Sequence, residues 1–245
     1  MTPSSDDGQF PTTHWTLVMR LKSGDEATAR RALDDLCAQY HYPLYCYIRR
    51  RGLSHHDAQD VLHDFLAKLL RLDAFESADA EKGRLRAFLS AALGRFLINW
   101  RSGSAQRQRE NSVDISCFSD DSEERFNREK FTEHDTPDRV FERQWARELL
   151  RRVLQKLATA FEERGKSSLF EALKPVILCG GSFRGEDPAA IAAKLGMSEP
   201  ALRKALQRAL SDYRKALENE VLQTVANEEE VEEELAYLRG LFGGK

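Results

Sequence analysis

Arg203, Lys204, Gln207 and Arg208 are spaced so that a helix carries them on one side, while Leu202, Ala205, Leu206, Ala209 and Leu210 take the other. Guanidinium and ammonium groups can bond the major-groove edge of guanine, and a carboxamide that of adenine, so this side has the chemistry to read duplex DNA. A second group lies between Lys82 and Arg109. Lys82, Arg84, Arg86, Arg95, Arg101, Arg107 and Arg109 occur there without one acidic residue. The simplest partner for such a stretch is a phosphate backbone. Phe88, Phe96 and Trp100 are interleaved with the cations, but Phe88 and Phe96 fall on the apolar stripe and read as core. Trp100, near the helix end, fits either core or base stacking. A third group, His56, Asp60, His63 and Asp64, gathers near one helix face at i, i+4, i+7 and i+8. Imidazoles with carboxylates can bind zinc, yet there is no H-E-x-x-H, and a solvated, protein-binding acidic face is the preferred reading. No G-x-S-x-G, phosphate loop or carboxylate pair is present, so no catalytic residue, metal or cofactor is expected, and the chain does not read as an enzyme.

The elements that must hold these groups all carry helical period. A first helix is predicted from about Asp25 to Tyr40. Pro43 is expected to separate it from Leu44–Ile48, which stops at Arg49-Arg-Arg-Gly52. Ser54 can cap the next helix, with Asp57 three residues on in a capping-box position and a stripe of Val61, Leu62, Phe65, Leu66, Leu69 and Leu70. A third helix, about Lys82 to Ser102, carries Leu85, Phe88, Leu89, Ala92, Leu93, Phe96, Leu97 and Trp100 at i, i+3, i+4 spacing. Residues 103–136 lose the pattern and read as a polar, acidic linker. Helices resume at Pro137 to about Ala160 and at Ser167 to Leu178, before Cys179-Gly-Gly. Then comes a helix pair: Asp187 leads a short helix carrying Ile191 and Leu195 inward, Gly196 makes the turn, and Ser198 caps a long helix from Glu199 to about Ala226. Pro200 falls in its first turn, where a missing N–H costs nothing. This is the grammar of a helix-turn-helix.

The 245 residues carry a net charge of −3, so the cationic groups are local features rather than a basic coat. No apolar run approaches 18 residues and the start lacks the features of a secretory leader, so the expectation is a cytoplasmic protein that does not enter the membrane. Cys37, Cys46, Cys117 and Cys179 are dispersed, and three of the four sit in apolar surroundings as small core residues.

Leu44–Gly52, Asp57–Phe65 and Gly83–Arg101, taken together, resemble region 2 of the sigma-70 family of RNA polymerase sigma factors. The helix-turn-helix resembles region 4. With no region 3 between them, the similarity is to the extracytoplasmic-function (ECF) type, and Phe10-Pro-Thr-Thr-His-Trp-Thr-Leu-Val18 is similar to a planctomycete-like subgroup. The resemblance implies an all-α protein of two helical domains joined by a flexible linker. Its parts are an N-terminal tail (1–9), a region 2-like domain (10–103), the linker (104–136), a region 4-like domain (137–226) and an acidic amphipathic tail (227–245). It implies docking of Asp57, Asp60 and Asp64 on the β′ clamp helices of core RNA polymerase, with the β flap as a further contact. It also implies −10 promoter contacts by Phe75, Arg84, Arg86, Arg95, Asn99, Trp100 and Arg101, and −35 contacts by Ser198, Arg203, Lys204, Gln207 and Arg208. An anti-sigma factor or a regulatory kinase is a partner the resemblance allows. Gln59 and His63 depart from the family's usual residues on the docking face, which bears on docking, and Arg95 and Asn99 depart from them at the −10 pocket, so the promoter sequence is not carried over.

The competing reading is a helix-turn-helix transcriptional regulator that does not join polymerase as a sigma subunit. The tail leaves two readings open. From residue 218 on, Glu218, Glu220, Glu228, Glu229, Glu230, Glu232, Glu233 and Glu234 face only Arg239 and Lys245. That contrast suits either a solvated helix or a tail that folds back on the chain's own basic surfaces.

Overall fold

A computed structural model of the protein describes residues 20, 25–71, 84–101, 121–225 and 228–242, and every regular element among them is a helix. In chain order these are α1 (Glu26–Arg50), α2 (His55–Arg71), α3 (Leu85–Arg101), α4 (Ser122–Arg128), α5 (Pro137–Glu163), α6 (Ser167–Leu178), α7 (Pro188–Lys194), α8 (Glu199–Leu222) and α9 (Val231–Phe242), with a 3-10 turn at Glu228–Glu230. The all-α expectation holds. Phe75, the opening Phe10–Val18 and the cations Lys82, Arg107 and Arg109 lie outside the described residues. Among those described, no helix is long and apolar enough to cross a membrane.

The chain divides into two compact units, one of Met1–Glu148 with Val221–Lys245 and the other of Leu149–Glu220. The sequence reading put the boundary in a linker at 104–136. For residues 121–136 that expectation is corrected, because they fold onto α1. Phe126 meets Tyr45 edge-on at 6.1 Å, and the Arg49 guanidinium lies 4.7 Å over the Phe126 ring while donating to the Tyr45 hydroxyl at 2.7 Å. Arg50 donates to the carbonyls of Thr132 and Asp135. Arg125 sits 3.6 Å over the Tyr42 ring and pairs with Glu148. Polar composition suggested solvation, but cations and aromatic faces on α1 give this segment partners.

The first unit is built around α1. Asp25 caps it by accepting from the Thr28 N–H at 3.0 Å, and hydrogen bonds from Thr28 hold its carboxyl below the usual range. Pro43 does not end the helix, contrary to expectation. Leu36, Cys37 and Tyr40 before it and Leu44, Tyr45, Cys46 and Ile48 after it are all buried. Burying a large apolar side chain is worth about 1.5–3 kcal/mol. Several of them outweigh a helix proline's cost of ~3 kcal/mol. Gly52, at φ +89°, makes the turn into α2, where Ser54 Oγ accepts from the Asp57 N–H at 3.1 Å as the cap spacing predicted. Val61, Leu62, Phe65, Leu66 and Leu69 of α2 are buried, as are Leu85, Leu89, Leu93, Phe96 and Leu97 of α3. Phe88, expected in the core, is only half-buried.

In the second unit, Leu157 and Phe161 of α5, Phe170, Leu173, Val176 and Ile177 of α6, Ala192 of α7, and Leu202, Leu206 and Ala209 of α8 form one apolar core. The turn after α6 closes with the Gly181 N–H bonded to the Val176 carbonyl at 2.8 Å. Glu220 is buried between Arg152, at 3.2 Å, and Lys156.

Candidate nucleic-acid interface

The helix pair is assembled as its spacing predicted. Asp187 caps α7 by accepting from the Ala189 N–H at 3.0 Å. Gly196, at φ +64°, turns the chain, and the Met197 N–H closes the turn on the Ala192 carbonyl at 3.0 Å. Ser198 Oγ accepts from the Ala201 N–H at 3.4 Å at the start of α8. Leu202, Leu206 and Ala209 then point into the core, with Ile191, Leu195, Ala205 and Leu210 packed against it. Arg203, Lys204, Gln207 and Arg208 are exposed together on the opposite side. Arg203 is held by Glu199 at 2.7 Å and lies 5.6 Å over the Phe183 ring, so its guanidinium is already aimed. Lys204, Gln207 and Arg208 complete a polar stripe of donors that a duplex groove fits.

On α2, Asp57, Asp60 and Asp64 share one side at i, i+3 and i+7 and none is buried. Asp57 accepts from the Ser54 hydroxyl at 2.7 Å, so it serves the helix start as well as the acidic face. Asp60 stands 4.0 Å from the His56 imidazole. Among the described residues no three His, Cys, Asp or Glu side chains gather as metal ligands.

α3 divides into two ends. Toward its C-terminus, Arg95, Asn99 and Arg101 are exposed and Trp100 is half-buried. Ile98, which the sequence reading did not single out, is 71% exposed. Its position off the Leu85–Leu97 stripe was the available signal. Arg95, Ile98 and Arg101, with Tyr47 and Arg51 of the α1 end and Asp138 of α5, line an open cleft of about 350 Å³. Arg51 donates to the Tyr47 hydroxyl at 2.6 Å, and Arg101 to the Arg51 carbonyl at 2.7 Å, which fixes these two cations beside it. A cationic cleft with one apolar wall has the chemistry to take a phosphate and the face of a base.

At the N-terminal end the expectation needs correction. Arg86, read as a DNA contact, is only 4% exposed. Its guanidinium donates to Glu142 at 2.8 Å and to Glu234 through both terminal nitrogens. It lies between the Trp145 ring, 4.2 Å away, and the Tyr237 ring, 4.9 Å away. Burial opposes the charge of Arg86, but Glu142 and Glu234 outweigh it and raise its pKa above the ordinary value. Arg84 pairs with Glu234 at 2.9 Å and Glu233 at 3.4 Å. Arg84 and Arg86 of the acid-free stretch are thus neutralised from outside its own sequence, by α5 and α9. Nothing local to Lys82–Arg109 signalled this; the surplus of glutamates in the tail did.

Comparison with known proteins finds no family model, no curated protein and no solved structure that matches this chain.

Proposed function

We propose that this chain is a sigma factor of the ECF type, which binds core RNA polymerase and directs promoter-specific initiation. The observation that carries the reading is the α7–turn–α8 pair, with Lys204, Gln207 and Arg208 exposed beside an oriented Arg203. In this reading that face contacts the −35 element. The half-exposed acids Asp57, Asp60 and Asp64 dock the β′ clamp helices. The α3 end, with Arg95, Asn99, Trp100 and Arg101, handles the −10 strand. Phosphate contacts fix register, base contacts carry sequence, and the polymerase supplies the catalysis. The resemblance to regions 2 and 4 adds the pairing of an acidic docking helix with a cationic one.

A second reading, a helix-turn-helix regulator acting without polymerase, draws support from the cover over Arg84 and Arg86. Reconstitution separates the two. The purified chain mixed with core polymerase is expected to form a stable complex and to yield promoter-specific transcripts. Gln207→Ala or Arg203→Ala should weaken −35 recognition by about 5- to 150-fold, from ~1–3 kcal/mol for a good base contact, while core binding stays unchanged. A chain that binds duplex DNA but not core polymerase is the regulator. One that binds core polymerase without specific initiation removes the sigma reading.

A further inference from the structure

Glu234 is fully buried, at 0% exposed, although it is a carboxylate in an acidic tail. It is buried because α9 lays it between Arg84 and Arg86, with Glu233 on the outer side of Arg84 and Tyr237 over both guanidiniums. Buried carboxylates need cationic partners to offset lost hydration, and this one has two. The two cations have in turn three carboxylate partners: Glu142, Glu233 and Glu234. Take α9 away and only Glu142 remains. The local balance then changes sign, from an excess of one negative charge to an excess of one positive charge. Carboxylate pairs on arginine imitate a nucleic-acid phosphate in charge and in bidentate geometry.

We propose that α9 is a built-in competitor for nucleic acid: Glu233 and Glu234 hold Arg84 and Arg86 in place of DNA phosphates, and DNA gains those contacts only when α9 leaves. The inference rests on the DNA-binding reading above. Trp145 and Glu142 keep Arg86 oriented when the tail departs, so the site stands ready rather than having to form. The outer edge of the contact is open to attack, since Glu233 is 75% exposed where it meets Arg84.

The test uses the full chain and its Glu233→Gln/Glu234→Gln variant, with a fluorescein-labelled 30-nucleotide single-stranded DNA and a duplex as probes. The variant should bind the single strand at least fivefold more tightly at low salt. Its log–log salt slope should steepen by about 1.4, for two added phosphate contacts at ~0.7 each. Adding Arg84→Ala and Arg86→Met should abolish the gain. On the unaltered chain, saturating single-stranded DNA should raise amide hydrogen exchange across residues 231–242, a readout that holds even if the variant folds poorly. Unchanged exchange in α9 with DNA bound overturns the competitor, as does an unchanged salt slope in a folded variant. If duplex still binds through α8 and is weakened by Gln207→Ala, the DNA reading survives that failure. If neither chain binds either probe, both inferences fall together.

Discussion

Replacing Arg86 by methionine isolates what the buried ion cluster contributes to the first unit. The guanidinium is 4% exposed, bonds two carboxylates and lies between two aromatic rings. Methionine keeps most of the apolar contact and removes the charge. Breaking a buried pair by removing one partner costs about 3–5 kcal/mol. Glu234 retains Arg84 at 2.9 Å, so the lower end applies: about 3 kcal/mol. For a chain of this size that is a fall in Tm of about 6–12 °C. A second substitution, Glu142→Gln, should recover part of the loss, because Glu142 is the carboxylate left without a cation once Arg86 is gone. The measurement is urea unfolding of both variants and of Glu142→Gln alone, followed by circular dichroism for both units and by tryptophan fluorescence, which reports the first unit because Trp15, Trp100 and Trp145 all belong to it. Two transitions are expected by circular dichroism if the units unfold separately, and only the one that coincides with the fluorescence change should move. A cost below about 1 kcal/mol for Arg86→Met, or a double variant no more stable than the single one, would mean that the buried ion cluster does not hold this unit together.

His41 is buried, and burial, assisted by Arg125, lowers its pKa to about 4 from 6.5. Since the unfolded chain takes up that proton first, stability is full above pH 6.5 and declines as pH falls towards 4, by about 3 kcal/mol in all. Equilibrium unfolding across that range checks it, and a His41→Leu chain should lose that part of the pH dependence. Gly181 and Gly196 both have positive φ, but a Cβ on Gly181 would meet Leu210 Cδ1 at 2.7 Å, whereas at Gly196 it meets open space. Gly196→Ala should cost about 1 kcal/mol from backbone strain alone, and Gly181→Ala about 2–3 kcal/mol once crowding is added. Equal costs in thermal unfolding would contradict that division.

Local signals read well from the sequence. α6 ends at Leu178, where Cys179-Gly-Gly stops it, and the α7–α8 turn is written in Gly196, Ser198 and Pro200. Each depends on neighbours within four residues. Pro43 misled because proline's local cost was visible, while the burial of Leu44, Tyr45 and Ile48 that offsets it is tertiary. Cys179 is exposed, unlike the buried Cys37 and Cys46, since it sits at the end of α6 rather than along its apolar stripe. Asp57, Asp60, Arg95, Asn99 and the α8 face lie accessible as their helical phase requires. Arg86 does not, and periodicity cannot find a partner 148 positions away.

That separation has a consequence for how the protein is made. The first unit needs Val221–Lys245 to complete it, so the ribosome must deliver all of Leu149–Glu220 before Glu234 exists to meet Arg86. At ~5–20 residues per second the 148-residue gap lasts roughly 7–30 s. Through that interval Arg84 and Arg86 emerge with no tail above them, and the second unit, continuous in sequence, is free to fold first. A nascent chain therefore passes through a more cationic form than the finished one, and synthesis itself decides when the cover goes on.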